Sequence, residues 1–283
     1  MEKIGIIGTG LIGGSYGLAL RKTGNYRIYA ADKNPAHLEA ALETGLADEP
    51  LTPENLAEMD GIILAVPVNI LPGLAVEMLD KTSGHTWIFD TGSIKSNIAR
   101  RIAGHPERER FILSHPIAGT EYSGPSAARE DLFQGKINII CNPAESRKDL
   151  LNKVVQLHEQ LGMQVHFLPA GEHDRHIAYV SHLSHVSAFL LGKTVMDVET
   201  DENNIFLMAG SGFASTVRLA KSSPATWTPI FMENRRYLLE VLEQYMHNLE
   251  NFATLLKAGK EEEIFALLSQ INEIGKVIDR IKS

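Results

Sequence analysis

The chain has 283 residues, 44% hydrophobic and 22% charged, a composition of soluble globular proteins and a length that suits two domains. Its formal net charge of -8 argues against nucleic acid or an anionic membrane as a partner. The single cysteine, Cys141, permits no intrachain disulfide, no apolar run approaches the roughly 18 residues of a membrane span, and Met1 leads straight into a strand-like segment, so a cytoplasmic protein is expected.

Up to about Leu168, short apolar runs alternate with longer amphipathic stretches. The runs are KIGII (3–7), RIYAA (27–31), GIILA (61–65), WIFD (87–90), FILS (111–114), INIIC (137–141) and QVHFL (164–168). Nearly all-apolar strands of this length fit a sheet covered by helices on both faces. Some of the intervening stretches open with helix signals. Thr52 can cap, Pro53 suits a first turn and Glu54 favours the dipole. The alternation predicts a parallel, doubly wound α/β sheet.

The first strand and helix enclose G-x-G-x-x-G, formed by Gly8, Gly10 and Gly13, with Leu11 and Ile12 between the last two. In a dinucleotide site the first glycine makes the tight turn, the second admits the pyrophosphate and the third lets helix and strand pack closely. The diphosphate then rests on the free N–H groups of the helix N-terminus. Asp32 ends the second strand, where an acid bonds the ribose 2′-hydroxyl and repels a 2′-phosphate. NAD is therefore the expected cofactor, with Lys33 as the one contrary sign. Val66 and Pro67, at the end of the GIILA strand, are candidate apolar contacts to it.

After Pro169 the strand signal stops, and the chain reads as helices from about Glu172, broken at Asn203-Asn204, Gly210-Ser211-Gly212 and Ser222-Ser223-Pro224. Two domains are expected, 1–170 and 171–283, without a low-complexity linker. Two apolar seams close the chain: Leu238, Leu242, Tyr245, Leu249, Phe252 and Leu256, then, past Gly259, Ile264, Leu267, Ile271, Ile274, Ile278 and Ile281. They imply a helical hairpin, packed either on its own chain or, as favoured here, on a second copy in a homodimer.

A nicotinamide enzyme also needs a group to take the proton that leaves with the hydride, most often histidine. Of eleven histidines, His37, His85, His105, His158 and His247 lie in charged or loop contexts and read as surface residues. His115 follows FILS at the carboxyl end of a strand, where doubly wound sheets bind ligands. His182 and His185, in SHLSH, share a helix face and could be metal ligands, buried structural residues or substrate contacts. No cysteine or HExxH accompanies them, so no metal is expected.

GTGLIGGS, DTGSIK (90–95), SHPIAGTE, SHLSH and GSGFASTVRLAKSSPATW (210–227) occur here in the order found in prephenate dehydrogenases, and the chain resembles that TyrA family over nearly its whole length. The resemblance implies a Rossmann domain followed by an all-α dimerisation domain. It also implies NAD-dependent oxidative decarboxylation of prephenate to 4-hydroxyphenylpyruvate, on the path to tyrosine. By motif, His115 corresponds to the catalytic base and Ser93 to its partner beside the nicotinamide. Arg218 corresponds to the carboxylate clamp, His182 and His185 line the pocket, Thr120 and Glu121 stand at its mouth, and Trp227 approaches from the helical side. Two departures stand out: Ala214 and Ser215 replace a Lys-Asp pair of some members, which puts an ion-pair gate in doubt, and Ser184 replaces a frequent proline. The chain ends soon after the second seam, so neither a ligand-sensing module nor a fused mutase is expected, and any tyrosine feedback would act at the active site. Arogenate dehydrogenase is the main alternative. A non-catalytic NAD sensor would need no proton acceptor, and a generic 3-hydroxyacid dehydrogenase would use a lysine.

Overall fold

The computed structural model describes residues 1–120, 122–202 and 205–282. The sheet half contains β1 (Glu2–Ile7), α1 (Leu11–Lys22), β2 (Tyr26–Ala31), α2 (Pro35–Glu43), β3 (Glu49–Pro50), β4 (Gly61–Leu64), α3 (Leu71–Lys81) and β5 (Trp87–Asp90). It continues with α4 (Ser96–Ile102), β6 (Phe111–Ile117), β7 (Ile137–Cys141), α5 (Lys148–Gln160) and β8 (Gln164–Leu168). Among the described residues these strands form one sheet in the order β3-β2-β1-β4-β5-β6-β7-β8. Alternate residues of its strands enter two core layers, as a covered sheet requires. Ile4, Ile6, Ile63 and Phe89 pack with Tyr16, Leu20, Val154 and Leu157 of α1 and α5. Ile62, Leu64 and Ile88 pack with Leu71, Ala75, Ile98 and Ile102 of α3 and α4.

The expectation of a parallel sheet holds for every pair except β6 and β7, which run antiparallel. A parallel return needs a crossover, usually a helix. The described part of 118–136 offers only the single 3₁₀ turn Pro125–Ala127, so the chain comes back in the opposite direction. The helix start at Thr52 is also corrected: Asn55 Oδ1 accepts the Thr52 N–H at 2.8 Å, and only the 3₁₀ turn Leu56–Glu58 precedes β4.

From Ala170 onward the described chain is helical, as expected. It runs through α6 (Ala170–Ile177), a π-turn (Ala178–His182), α7 (Leu183–Glu202), the 3₁₀ turn Ile205–Met208 and α8 (Ser211–Thr216). The 3₁₀ turn Arg218–Lys221, α9 (Pro224–Glu233), α10 (Arg235–Lys257), α11 (Glu261–Ile271) and α12 (Gly275–Lys282) complete it. The break expected at Asn203-Asn204 lies outside the described residues. By contact density the chain divides into two compact units, Met1–Arg235 and Arg236–Ser283.

Within the second unit Gly259 adopts φ 63°, a left-handed stop that ends α10 as the sequence suggests. The second seam is not one helix, because the 3₁₀ turn Asn272–Ile274 separates α11 from α12. Leu249, Leu256, Ile271, Ile274 and Ile278 are 43–57% exposed in the single chain. The side chain of Ile281 lies outside the described residues. Among the described residues no helix is long and apolar enough to cross a membrane.

Candidate active site

The glycine loop has the shape its spacing implies. Gly8 sits at φ 98°, and a Cβ there would lie 2.4 Å from the Ala65 carbonyl oxygen at the end of β4. At Gly13 a Cβ would lie 1.9 Å from the Gly8 carbonyl, so α1 can approach β1 this closely only with glycine. Gly10 differs: a Cβ would meet nothing within 4 Å, which leaves the room a diphosphate needs above the helix N-terminus. The N–H groups of Leu11, Ile12 and Gly13 belong to the first turn of α1, where a helix offers them no carbonyl. Asp32 Oδ2 accepts the Thr9 N–H at 2.9 Å, Oδ1 accepts the Asn34 N–H at 2.9 Å, and the carboxylate is thereby anchored against the loop. Val66 is half-buried and Pro67 exposed just beyond β4.

The second group of residues gathers where β6 outruns its neighbour. β5 pairs with β6 only through Phe111 and Ile112, so His115 lies inside a longer strand than FILS and past its last contact with β5. Beneath it a fully buried ion pair joins Lys95 Nζ to Asp90 Oδ2, and Lys95 Nζ also donates to the Ser114 carbonyl at 2.6 Å. Asp90 accepts the N–H groups of Gly92 at 2.9 Å and Ser114 at 3.2 Å. Burial pushes the Asp90 carboxyl up from its ordinary pKa, while Lys95 and these two donors pull against it. The loop from Asp90 to Lys95 is thus tied at both ends to the residue before His115. That loop carries Ser93, whose Oγ is buried and without a partner among the described residues.

His115 Nδ1 lies 2.8 Å from His173 Nε2, and His173 Nδ1 lies 2.9 Å from Asp174 Oδ1. Asp174 further accepts the N–H of Lys95 at 2.8 Å and of Ser96 at 2.7 Å. Burial opposes ionisation of Asp174, but the bonds from His173, Ser96 and Lys95 outweigh it and hold its pKa below the usual carboxylate value. Burial, reinforced by His173, Lys95 and His182, drives the pKa of His115 well below the ordinary imidazole value, so its side chain is neutral at pH 7.

His182 is fully buried, and burial lowers its pKa to about 4 against the pull of Asp174. Asn234 Nδ2 donates to the Asp174 carbonyl at 2.7 Å, which orients the amide, and the same nitrogen lies 3.1 Å from His182 Nδ1. His182 Nδ1 must then accept, the proton resides on Nε2, and that buried Nε2–H has no partner among the described residues. His185 stacks on Trp227 with ring centroids 3.3 Å apart, and Trp227 also faces His182 at 6.0 Å. Burial lowers the His185 pKa, its bond to the Ser181 carbonyl opposes this, and the charge of Arg218 lowers it further. Arg218 is exposed and close enough to His185 for that effect. Thr120 is exposed, with its hydroxyl accepting the Tyr122 N–H at 3.3 Å, while Glu121 lies outside the described residues.

Several members of this network escape the sequence reading. Lys95 and Asp90 stand inside the DTGSIK motif, yet their pairing needs a fold to reveal it. His173 and Asp174 lie beside charged residues in EHDRH and look like part of a polar helix face. His158 is a correction: it is fully buried, not a surface residue, bonded to Tyr16 Oη at 2.9 Å and to the Val154 carbonyl at 2.7 Å. Among the described residues no group of three or more His, Cys, Asp or Glu side chains is placed to hold a metal ion.

The family model for the prephenate dehydrogenase nucleotide-binding domain matches residues 16–167, and the one for the prephenate dehydrogenase dimerization domain matches 169–270. The chain belongs to the prephenate dehydrogenase family. Cyclohexadienyl dehydrogenase of Zymomonas mobilis is 30% identical over 262 residues, which is 90% of this chain and 88% of that protein. The solved structure of prephenate dehydrogenase from A. aeolicus in complex with hydroxyphenyl propionate and NAD+ matches with a TM-score of 0.88 at 30% identity, covering 100% of this chain and 98% of that one. Synechocystis arogenate dehydrogenase matches at 0.79 and 27%, over 99% of both chains. The nucleotide-binding match starts at residue 16, so the reading of the glycine loop rests on the geometry above.

Proposed function

We propose that this family member is an NAD-dependent prephenate dehydrogenase that converts prephenate to 4-hydroxyphenylpyruvate with loss of CO2. The observation that carries the reading is the buried His115, neutral at pH 7 and preceded by Ser114, to which the loop carrying Ser93 is tied, with the Ser93 Oγ unpartnered among the described residues, on the same sheet as a glycine loop with room for a diphosphate. Gly8, Gly10, Leu11, Ile12 and Gly13 would hold the diphosphate of NAD, Asp32 its adenosine ribose, and Val66 and Pro67 its apolar contacts. When bound, NAD supplies the acceptor for the hydride from the hydroxyl-bearing ring carbon.

His115 takes the hydroxyl proton on Nε2, and Ser93 Oγ bonds the same hydroxyl. A placed base of this kind contributes about 10²–10⁴-fold. His182 donates through Nε2–H to an oxygen of the substrate. Arg218 can grip a carboxylate through two parallel bonds, which this acidic chain must provide locally. His185, Trp227, Thr120 and Glu121 complete the surroundings. Decarboxylation follows on the substrate itself, driven by aromatisation.

In this reading residues 1–170 carry the cofactor, and 171–283 carry substrate contacts and a homodimer contact through the C-terminal helices, in a cytoplasmic enzyme. Arogenate is the second candidate substrate, because relatives named for cyclohexadienyl and arogenate substrates align as fully as those named for prephenate. The test is nicotinamide reduction, followed by its absorbance, with prephenate and with arogenate, each paired with NAD and NADP. Turnover should be fastest with prephenate and NAD. Tight NAD binding without turnover of either substrate would sink the enzyme reading.

A further inference from the structure

We propose that His173 and Asp174 are positioning residues which hold His115 in the one tautomer able to accept the substrate proton. The inference rests on the reading of His115 as the base, and it concerns two residues that no motif above assigns. An ionised carboxylate can only accept, so Asp174 Oδ1 requires the proton of His173 on Nδ1. With that one proton on Nδ1, His173 presents a lone pair at Nε2, 2.8 Å from His115 Nδ1, which must donate. His115 is left with its lone pair on Nε2, the atom that has to take the proton.

Asp174 is itself held from both sides of the site. The backbone N–H groups of Lys95 and Ser96 fix its carboxylate, and its carbonyl receives Asn234. Lys95 in turn ties the strand beside His115 through Ser114. The His173 and Asp174 side chains are 3% and 1% exposed, so solvent cannot substitute for either bond. Without such an acceptor at Nδ1, an imidazole favours its Nε2–H form, which cannot act as the base. When the proton arrives, the chain of bonds also links the new imidazolium to the carboxylate.

Two measurements test this. Nitrogen-15 NMR of the wild-type chain labelled in histidine reads the tautomer without any turnover. His115 should be protonated on Nδ1 alone, and His173 likewise; an Nε2-protonated His115 would overturn the proposal, as would a cationic His173 donating toward it. The second compares His173→Leu, which removes the acceptor, with His173→Gln, which keeps an acceptor and a donor. The leucine variant should lose roughly 10²-fold in kcat, with NAD affinity within about twofold, and glutamine should recover at least about tenfold of that loss. Equal kcat in the wild type and the leucine variant, or a folded glutamine variant no better than leucine, would overturn it. If the leucine variant does not fold, the wild-type tautomer still decides. If prephenate is not turned over at all, the functional reading fails while the NMR result still stands for or against the relay.

Discussion

Asp32 is almost wholly occupied before any cofactor arrives. Its side chain is 11% exposed, it accepts N–H bonds from Thr9 and Asn34, and His37 Nδ1 stands 3.8 Å from Oδ1. A carboxylate has roughly four lone-pair sites, so capacity remains for a ribose hydroxyl, which donates, whereas a phosphate dianion has no proton to give and is repelled by the like charge. Asp32→Ser should therefore lower kcat/KM with NAD by about 10- to 100-fold, the range of a hydrogen bond to a charged group, and raise it with NADP. The ratio of the two is the informative number. A loosened glycine loop would weaken both cofactors alike, and an unchanged ratio would remove Asp32 from the discrimination. This part of the site is legible because it is local: a turn, a helix start and an acid within one βαβ unit. The His115 relay is not. His115 meets His173 across 58 positions, Lys95 meets Asp174 across 79, and His182 meets Asn234 across 52. No periodicity announces a hydrogen bond over such distances, and in sequence each partner has a plain solvated reading.

At the level of elements, apolar runs reveal strands well because both sheet faces are covered, and each of the seven runs named from sequence is a strand. Direction is another matter. The reversal at β7 depends on a loop that lacks a crossover helix, which a list of strands does not convey. His158 shows how context misleads: its neighbours in HEQ are polar, yet it stands four positions after buried Val154 and next to buried Leu157 on the inner face of α5. Burial lowers its pKa to about 4, against the bond to the Val154 carbonyl. The unfolded chain takes up this proton below about pH 6.5, whereas the fold resists until about pH 4. Stability from keeping His158 neutral is thus complete above pH 6.5 and is lost as the pH falls from 6.5 to 4. At pH 4.5 the loss should be about 2 to 3 kcal/mol. His158→Gln keeps a partner for Tyr16 and removes the titration. Urea unfolding at pH 7 and 4.5 should show a smaller decline for the variant by that amount, since other acid-sensitive groups are common to both. Equal declines would mean that His158 is protonated within the fold without penalty.

For the whole molecule, the C-terminal helices carry apolar surface that needs a cover. The family model that matches 169–270 is a dimerization domain, and the seam residues Leu249, Leu256, Ile271, Ile274 and Ile278 point much of their apolar surface at solvent in a single chain. Leu249 is 52% exposed and Ile274 55%, with Phe265 at 73% beside them in sequence order. Scattered exposed leucines need no explanation, but two periodic stripes on consecutive helices do. A second copy is the economical cover, because a self-complementary stripe closes under two-fold symmetry, and a stable pair buries about 1,200–2,000 Å² or more. Glutamate at both Leu249 and Ile274 should then cost little in the isolated chain, where each position is already half in water. In the dimer it should be prohibitive, since unpaired carboxylates would be buried on both sides of the contact. Sedimentation equilibrium of the wild type should give twice the chain mass, and Leu249→Glu/Ile274→Glu should give the mass of one chain with its far-ultraviolet circular dichroism retained. A wild type that sediments as one chain, or a double variant that still pairs, would place the contact elsewhere or abolish it.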